Sequence, residues 1–510
     1  MPINKIFSSL IRTRMSGVNF MRDKPIQAQN IVFKELAISL NKTQYASDHN
    51  LGGLSSLISE NNFKSHIPIR TYDEIKPWIE RAREGEEDVL WPGKVSWFAK
   101  TSGTTSDRSK ILPVTKDSLK SNHYKGGRDL LAMFCDLKSA ARLYTGKHLI
   151  IGGSSTLHPN RKGSYTGDLS AIIIRNLPFW VESRRTPGRD ITMLEDWEKK
   201  VELMAEKVIS QDVRILAGIP SWMLVVLRRV LEKTGKESLI EVWPNLQLYM
   251  HGGVGFEPYK EQFKRLVNSD KLCYMETYNA SEGLFSIQDS FERNDMLLLV
   301  NHGIYYEFLP YSGKVSCYSK AVSLADVKLG LEYALVISTN AGLWRYLIGD
   351  IVKVTCISPY RIQVVGRVSA FINVVGEELM VNQAERAVAN ALENYGLVLK
   401  EFTAAPRFSE DGVPVGHSWV IEVSNNACTS SLTADKVSEA LDIELKKLNS
   451  DYSVKREYDF ILQLPEVIFV KEGSFEVWLK EKNKLGGQHK IPRLSNSRKI
   501  LDEVLRVIPN

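Results

Sequence analysis

Between about residue 80 and residue 365, short apolar runs alternate with helical patterns, and this alternation restricts the fold more than any other feature. The runs are "KHLIIGGSS", "VRILAGIP", "LQLYMHGG", "KLCYMETY" and "EYALVISTN". Several end in Gly or Ser and lead into a helical pattern, as "VRILAGIP" leads into "SWMLVVLRRVLEKTG". Strand-helix units of this kind predict a largely parallel sheet. Because ligands bind at the carboxyl ends of strands in such sheets, the following loops are the expected places for a functional site.

The regions on either side of this alternation follow other patterns. Before about residue 80, "QNIVFKELAISL" and "DEIKPWIERARE" space apolar residues three and four apart, which predicts helices. Beyond "RIQVVGR", helical stretches mixed with strand-like runs predict a compact α+β unit of about 140 residues. We therefore predict an α/β protein. Its large N-terminal domain, residues 1–370, has mixed or parallel sheets with flanking helices, and a smaller C-terminal α+β domain, 371–510, is mobile.

Composition is that of an ordinary globular protein and argues against several classes of function. The chain has 510 residues, and its 66 basic and 60 acidic residues give a formal net charge of +6, too small to indicate nucleic acid or a membrane as partner. The five cysteines show no C-x-x-C spacing, so neither a disulfide framework nor a zinc site is indicated. The N-terminal segment interrupts every apolar run, and no window approaches 18 consecutive apolar residues. We expect a cytoplasmic protein of undetermined oligomeric state.

The loop "KTSGTTSDRSK", from Lys100 to Lys110, combines hydroxyl side chains, one glycine and basic residues. Glycine lets the backbone approach a ligand, and successive N–H groups form a concave nest for anions, so phosphate is the natural candidate. A solvated turn of the same composition is the ordinary alternative. The loop is not a Walker A motif, because Gly103 is its only glycine, and no G-x-G-x-x-G follows a strand.

Further segments place small, aromatic or charged residues at or near the ends of apolar runs: Gly252 and Gly253 in "MHGGVGFEP", Tyr278 and Glu282 in "YNASEG", Asp350 in "WRYLIGDIVKV" and Arg367 in "GRVSAFINVVGEEL". Each has an ordinary explanation when taken alone. These are a turn, an aromatic core residue with a surface Glu, a G-D hairpin turn and a solvated Arg, respectively. Their common order along the chain carries more weight than any one of them.

That order, "TSGTT…YNASE…GD…GR…K", resembles the core motifs of the adenylate-forming superfamily. The segments "VLWPGKVSWFAKTSGTTS", "HGIYYEFLP", "GLWRYLIGDIVKV" and "LGGQHKIPRL" are more specifically similar to the Gretchen Hagen (auxin-responsive promoter) family of acyl-acid amido synthetases, in particular its bacterial members. The resemblance covers nearly the whole chain. It implies ATP and Mg²⁺ as cofactors, with a small carboxylic acid and an amino acid as substrates.

The resemblance also implies roles for individual residues in ATP binding and adenylation. These are the phosphate loop (Ser102, Gly103, Thr104, Thr105 and Lys110), the adenine side (Gly252, Gly253 and Val254), the ring-stacking segment (Tyr278, Asn279, Ala280 and Ser281), the Mg²⁺ ligand Glu282, the ribose carboxylate Asp350, Arg367 near ribose and phosphates, and Lys490 of "QHKIPR". One departure concerns the loop. The superfamily commonly has a glycine where this chain has Ser106, and Lys110 comes one residue late, so the Ser and Thr contacts are the firmer part.

Elementary chemistry is consistent with these roles. A hard Mg²⁺ ion needs few protein ligands beyond phosphate oxygens and water, so one carboxylate from Glu282 suffices. An ionised Asp350 can accept two hydrogen bonds from a ribose. Attack of a carboxylate on the α-phosphorus brings two anions together, so positive charge from Mg²⁺ and Lys490 is needed. Without the resemblance, Lys490 would be read as a surface lysine of a basic tail.

The function predicted is an acid-amino acid ligase: the acid and ATP give an acyl-adenylate and pyrophosphate, and an amine then attacks the acyl carbon and releases AMP. Lys490 would serve only the first step, which is why the small domain is expected to move. An acyl-coenzyme A ligase is the alternative enzyme, and a non-catalytic ATP-binding or regulatory protein is the alternative of another class. Which acid and which amino acid are used stays open, although Trp222 and Met223 are candidates for the acid pocket.

Overall fold

The computed structural model of the protein describes the residues 2–52, 58–101, 110–152, 157–192, 194, 196–311, 320–368, 371–372, 374, 377, 379–410, 414–424, 431–456, 462–482 and 491–507. They form two compact units. The larger contains the described residues up to 101, from 110 to 254 and from 266 to 363, and the smaller contains 255–265 and those from 364 onward.

Helices occupy most of the first 83 residues, as the apolar spacing predicts. Their ends carry local signals: Pro25 occupies the first turn of its helix, and the side chains of Thr43 and Ser59 accept hydrogen bonds from backbone N–H groups in the first turn of theirs. At Thr71 the backbone N–H donates to the Glu74 carboxylate at 2.7 Å, as in a capping box. The helices are α1 (Pro2–Arg12), α2 (Met15–Asp23), α3 (Pro25–Leu40), α4 (Gln44–Asp48), α5 (Glu60–His66) and α6 (Tyr72–Arg83).

The sheets of the larger unit are built from the first sixteen strands of the chain. They are β1 (Trp97–Lys100), β2 (Ile111–Val114), β3 (Lys147–Ile150), β4 (His158–Pro159), β5 (Tyr165–Gly167), β6 (Arg185–Thr186), β7 (Val213–Ala217), β8 (Leu248–Gly252), β9 (Cys273–Ala280), β10 (Gly283–Ile287), β11 (Met296–Leu298), β12 (Ile304–Pro310), β13 (Val322–Ser323), β14 (Glu332–Thr339), β15 (Tyr346–Ile357) and β16 (Tyr360–Arg367). A small sheet has the order β2-β1-β5-β4. A twelve-stranded sheet has the order β13-β12-β14-β15-β16-β11-β10-β9-β8-β7-β3-β6.

Helices lie between many of these strands in the chain, and one half of the large sheet is parallel; the helix formed by residues 257–267 lies mostly in the smaller unit. They are α7 (Lys116–Ser118), α8 (Tyr124–Leu137), α9 (Leu169–Arg175), α10 (Phe179–Glu182), α11 (Arg189–Thr192), α12 (Trp197–Ile209), α13 (Pro220–Thr234), α14 (Leu239–Val242) and α15 (Glu257–Val267). Strands β6, β3, β7, β8 and β9 pair in parallel, and α13 lies between β7 and β8 in the chain. This half follows the strand-helix prediction.

The other half of the large sheet is antiparallel in every pair whose register is described. The run "EYALVISTN" is β14, and it lies between antiparallel neighbours β12 and β15. The connection from β14 to β15 is only a few residues long, which leaves no room for a crossover helix. The expectation of a largely parallel sheet is therefore wrong for this half, while the mixed α/β fold class is confirmed.

The smaller unit has a sheet of order β19-β20-β21 with helices against it. Strands β19 and β20 are antiparallel and β20 and β21 parallel, around a core that includes the buried Phe402, Trp419 and Leu441. Its elements are β17 (Phe371–Ile372), β18 (Leu379–Met380), α16 (Val381–Glu393), β19 (Val398–Phe408), β20 (Pro414–Ser424), α17 (Ser431–Leu448), α18 (Ser450–Lys455), β21 (Glu466–Val470), α19 (Ser474–Glu481) and α20 (Lys499–Val507). Within the described ranges of the whole chain, no helix is long and apolar enough to cross a membrane.

Candidate active site in the larger unit

The ends of the Ser/Thr-rich loop are held together where β1 leads toward β2. The Thr101 backbone N–H donates to the Lys110 carbonyl at 2.8 Å, and the Lys110 N–H donates to the Thr101 hydroxyl at 3.1 Å. The first bond continues the antiparallel ladder of β1 and β2 by one pair, and the second is made by the Thr101 side chain. Ser102, Gly103, Thr104 and Thr105 lie outside the described residues, so their phosphate-binding role stays a prediction.

Lys110, the last residue of the predicted phosphate loop, lies between two aromatic rings. Its Nζ is 3.3 Å from the Tyr346 hydroxyl, 5.9 Å from the centroid of that ring and 5.8 Å from the centroid of Tyr72. Such distances are those of cation–π contacts. The ammonium group is therefore positioned by packing at the start of β15, and its predicted phosphate contact stays untested.

The predicted adenine-side glycines lie at the carboxyl end of β8, where the backbone is tightly packed on one side. Gly252 pairs with Thr277 of β9, and a Cβ atom at Gly252 would come within 2.3 Å of the Thr277 carbonyl oxygen. Gly253 has φ +83°, in the left-handed region that favours glycine. Val254 follows directly. Both glycines are thus required by the local geometry, whether or not a base lies on this backbone.

The imidazole that precedes these glycines is buried and neutral. Burial lowers the pKa of His251 from 6.5 to about 3, because the charged form is poorly solvated there. Its backbone carbonyl accepts a hydrogen bond from the Thr277 hydroxyl at 2.9 Å. His251 therefore adds no positive charge to this strand end at neutral pH.

Tyr278 and Asp350 meet in the larger unit. The Tyr278 hydroxyl donates to Asp350 Oδ2 at 2.5 Å, which is short for a hydrogen bond and typical of a donor to a carboxylate. Both residues are buried, with 7% and 6% of their surface exposed. The Tyr278 ring lies 4.7 Å from that of Phe285. Two residues that the sequence places in separate motifs are thus joined in one buried contact.

Strong curvature of the large sheet allows this contact. Three strands, β16, β11 and β10, stand between β15 and β9 in the strand order. In a flat sheet the two strands would lie about 19 Å apart, at about 4.8 Å for each spacing. Tyr and Asp side chains are too short to span that distance, so the sheet bends to bring the two together.

A bulge in β15 presents Asp350. Ala334 pairs with Ile351 but Val336 pairs with Leu347, so two steps along β14 match four along β15. Gly349 lies in this interruption with φ +88°. Bulges commonly redirect a side chain next to a functional site. The Gly-Asp pair is therefore part of a bulge inside a strand, whereas the ordinary reading of the sequence was a hairpin turn.

Glu282 lies in a two-residue hairpin turn. Ala280 pairs with Gly283, which leaves Ser281 and Glu282 as the connection between β9 and β10. Glu282 is 8% exposed, although turn residues are usually solvated. Asn279, the last residue but one of β9, is exposed. The role of Glu282 as a Mg²⁺ ligand stays a prediction.

Segments that carried the family resemblance pack against one another. The Trp344 indole N–H donates to the Leu90 carbonyl at 3.0 Å, and the rings of Trp91 and Trp344 stack at 6.0 Å. Arg345 makes a two-fold hydrogen bond to Glu307, with both N–O distances at 2.9 Å. All of these residues are buried. The segments "VLWPGKV", "HGIYYEFLP" and "GLWRYLIGD" are therefore packed together next to the start of β15.

The remaining predicted residues are not placed in this cluster. Arg367 ends β16 and belongs to the smaller unit, and Lys490 lies outside the described residues. Of the acid-pocket candidates, Met223 is fully buried in α13 and reads as core, while the half-buried Trp222 lies 5.8 Å from the ring of Trp197. The structure thus brings together Tyr278 and Asp350 by direct contact.

Sequence reasoning missed Asn122. Its side-chain amide bonds to the backbone of β10 next to Glu282, yet in the sequence it is one polar residue within the helical stretch "KDSLKSNHYKGG". Nothing in that stretch indicates which residue faces inward, because a π-helical turn at Leu119–His123 changes the periodicity there.

Comparison with known families covers nearly the whole chain. The GH3 family N-terminal domain matches residues 14–272, the GH3 family central domain 297–367 and the GH3 family C-terminal domain 382–499. The chain belongs to the GH3 family. This is the Gretchen Hagen family whose motifs the sequence resembles, so the resemblance to that family is confirmed.

Plant members of the GH3 family are similar over almost their full length. Indole-3-acetic acid-amido synthetase GH3.4 of Arabidopsis thaliana is 23% identical, with 96% of this chain and 94% of that protein covered. The 4-substituted benzoates-glutamate ligase GH3.12 of the same plant is 24% identical, with 98% and 96% covered. Both names describe ligases that join an acid to an amino acid, which is the class of enzyme predicted from the sequence.

Two solved structures share the fold of this GH3 protein. The GH3.15 acyl acid amido synthetase superposes with a TM-score of 0.79 at 19% identity, covering 98% of this chain and 97% of the other. A 2-hydroxyisobutyryl-CoA ligase in its postadenylation state superposes with a TM-score of 0.56 at 11% identity, covering 94% and 90%. The predicted adenylate-forming fold is confirmed.

Proposed function

We propose that this GH3 protein is an ATP-dependent acyl-acid amido synthetase. A carboxylic acid attacks the α-phosphorus of ATP to give an acyl-adenylate and pyrophosphate, and an amino acid amine then attacks the acyl carbon to give an amide, AMP and a proton. The observation that supports this most is the hydrogen bond between Tyr278 and Asp350, because it joins two separately predicted nucleotide-binding motifs in one buried place.

In this proposal each strand end has one task. The adenine side is bound by the backbone at Gly252, Gly253 and Val254. The ring of Tyr278 also binds there, with Asn279, Ala280 and Ser281 beside it. Asp350 accepts hydrogen bonds from the ribose hydroxyls, for which a carboxylate has two acceptor oxygens. Ser102, Gly103, Thr104, Thr105 and Lys110 bind phosphate, and Arg367 lies near ribose and phosphates.

Glu282 fits a magnesium ion that is shared with the substrate. Among the residues that the structure describes, no group of three or more His, Cys, Asp or Glu side chains could hold a metal by itself. A single carboxylate nevertheless suits Mg²⁺, which takes its other ligands from phosphate oxygens and water. When bound, the ion would neutralise phosphate charge during adenylation.

The remaining assignments concern the smaller domain and the cellular location. We propose a boundary at residue 370, with 371–510 changing position between the two steps and Lys490 serving adenylation alone. We also propose a cytoplasmic location, which agrees with free thiols at Cys135, Cys273 and Cys356. A small carboxylic acid and an amino acid are the substrate classes, and the individual compounds are left to experiment.

A substrate matrix tests the function. Purified protein with ATP and Mg²⁺ is offered aryl, indolyl and alkyl acids against the common amino acids, with AMP release and product mass as readouts. We expect AMP release that needs both an acid and an amine, and a product with the mass of their amide. Coenzyme A is included as an alternative acceptor. A thioester as the main product would replace this proposal by an acyl-coenzyme A ligase, and no acid-dependent pyrophosphate exchange would reject adenylation altogether.

A further inference from the structure

The side-chain amide of Asn122 clamps the first strand residues after Glu282. Asn122 Oδ1 accepts a hydrogen bond from the Leu284 N–H at 2.7 Å, and Nδ2 donates to the Leu284 carbonyl at 3.0 Å and to the His302 carbonyl at 3.0 Å. The residue is 1% exposed. One amide group therefore satisfies both backbone groups of Leu284, in the manner of a neighbouring strand.

A local irregularity of the helix directs Asn122 inward. Residues Leu119–His123 form a π-helical turn, closed by a bond from the Tyr124 N–H to the Leu119 carbonyl, and α8 continues directly from it. Such single turns insert one extra residue, cost stability and are frequent at functional sites. Asn122 lies in this turn, and its side chain bonds to Leu284 of β10.

The same helix fixes Leu284 by close packing. A Cβ atom at Gly126 of α8 would lie 2.2 Å from Leu284 Cδ2, so the leucine side chain rests on the bare helix backbone. At Gly283 a Cβ atom would lie 2.8 Å from Ile304 Cδ1 and 3.3 Å from Asn122 Oδ1. Leu284 is thus held by its backbone and its side chain, with one tightly packed glycine between it and Glu282.

On the basis of the function proposed above, we propose that Asn122 is a positioning residue for Glu282. The hairpin turn has two residues, so its conformation follows from the strand ends on either side. The β9 side is held by the ladder to β8 as far as Thr277, and the β10 side is held by Asn122 at Leu284. Without the amide, the start of β10 and the Glu282 carboxylate attached to it lose their fixed orientation toward the metal and phosphates.

Gln29 of α3 provides a matched control. Its Nε2 donates to the carbonyls of Val300 at 2.8 Å and Ile304 at 2.9 Å, and its Oε1 accepts from the Tyr306 N–H at 2.9 Å. It is 3% exposed. Gln29 therefore makes the same three types of bond in an equally buried place, but its backbone partners are Val300 and two residues of β12, and none lies in β10.

The experiment compares Asn122→Ala with Gln29→Ala in the full-length protein. Binding of Mn²⁺, used as a spectroscopic probe for Mg²⁺, is titrated by electron paramagnetic resonance in the presence of a non-hydrolysable ATP analogue, with Glu282→Gln as the reference for loss of the ligand itself. We expect Asn122→Ala to weaken Mn²⁺ binding roughly 10-fold or more, as loss of residues that orient a metal ligand typically does. Gln29→Ala should bind Mn²⁺ as wild type does, while losing a similar amount of unfolding free energy.

Amide hydrogen exchange gives a readout independent of metal and activity. The Leu284 amide should exchange much faster in Asn122→Ala and stay protected in Gln29→Ala, because Asn122 Oδ1 is its acceptor. If Asn122→Ala does not fold, Asn122→Asp replaces it, since it keeps the shape and the acceptor for the Leu284 N–H but loses both donated bonds.

The outcomes separate this inference from the proposed function. Unchanged Mn²⁺ affinity in the Asn122 variant that folds, or an equal loss in Gln29→Ala, overturns the positioning role while the ligase function stands. If wild-type protein shows no acid-dependent pyrophosphate exchange and Glu282→Gln binds Mn²⁺ normally, the proposed function and this inference both fail.

Discussion

Replacing Tyr278 by Phe removes one hydroxyl and leaves the ring in place. In the structure that hydroxyl donates to Asp350 Oδ2 at 2.5 Å, between two residues with 7% and 6% of their surface exposed. The ring would keep its contact with Phe285. The substitution therefore tests the hydrogen bond between the two motifs separately from any stacking by the aromatic ring.

The expected loss follows from the type of bond and its burial. Hydrogen bonds to charged groups contribute about 1.5 to 3 kcal/mol to stability, and burial prevents water from replacing the lost donor. We expect the free energy of unfolding to fall by about that amount. If the binding of the ATP ribose by Asp350 lost the same free energy, ATP binding would weaken roughly 10- to 150-fold. Because the free protein loses the bond as well, we expect the lower end, about ten-fold in the KM for ATP.

Tyr306→Phe is a suitable control. Tyr306 is fully buried in β12, and its hydroxyl lies 3.4 Å from the Phe285 carbonyl and 3.5 Å from the Leu299 carbonyl, which are long, neutral hydrogen bonds. Its removal should cost about 1 kcal/mol or less of unfolding free energy and leave the KM for ATP unchanged. Urea unfolding and pyrophosphate exchange at varied ATP measure both quantities.

A double-mutant cycle with Asp350→Ala provides the decisive measurement, because Asn at this position would still accept a hydrogen bond from the Tyr278 hydroxyl. If the two side chains are bonded as observed, their coupling in unfolding free energy should be about 1.5 to 3 kcal/mol. Coupling near zero, or a Tyr278→Phe protein with the stability and ATP dependence of Tyr306→Phe, would refute the argument that this contact joins the two motifs.

Three further predictions concern other parts of the chain. Lys490→Ala should slow acid-dependent pyrophosphate exchange by raising its activation free energy by about 3 to 4 kcal/mol, by analogy with loss of a single oxyanion donor. A supplied acyl-adenylate should still be converted to amide. Equal loss in both steps would indicate one fixed domain arrangement. Gly349→Ala, at φ +88°, should lower the unfolding free energy by about 1 to 2 kcal/mol and raise the KM for ATP, whereas Gly330→Ala, at φ +81° in open space, should affect stability alone. Burial lowers the pKa values of His251 and His302 from 6.5 to about 3 and about 4, so below pH 6.5 the unfolded chain binds protons that the fold excludes. Urea unfolding should therefore show stability falling from pH 6.5 to pH 4, by about 1.4 kcal/mol per pH unit for each such imidazole; a flat profile would contradict this.

Local patterns in the sequence were sufficient to predict the helices before residue 83, the strand-helix units around β7 and β8, and the α+β elements after residue 370. Those patterns work because the periodicity of apolar residues reflects which face of each element is buried. The order of motifs was also sufficient to assign the GH3 family, since each motif is a short stretch whose chemistry can be read locally. The antiparallel half of the large sheet was not predicted, because pairing direction depends on connections and partners outside each run.

The arrangement of the candidate site was decided by tertiary structure alone. Tyr278 and Asp350 are 72 residues apart and separated by three strands in the sheet order, and only the curvature of the sheet brings them into contact. The Gly349-Asp350 pair is typical of a turn in the sequence, but in the structure it lies in a bulge of β15 that presents the Asp350 carboxylate. Asn122 is hydrogen-bonded to Leu284, 162 residues away in the chain. It lies in a π-helical turn that the local sequence does not predict. In each case the partner is set by packing between distant segments, whereas the sequence determines only the chemistry that each segment can offer.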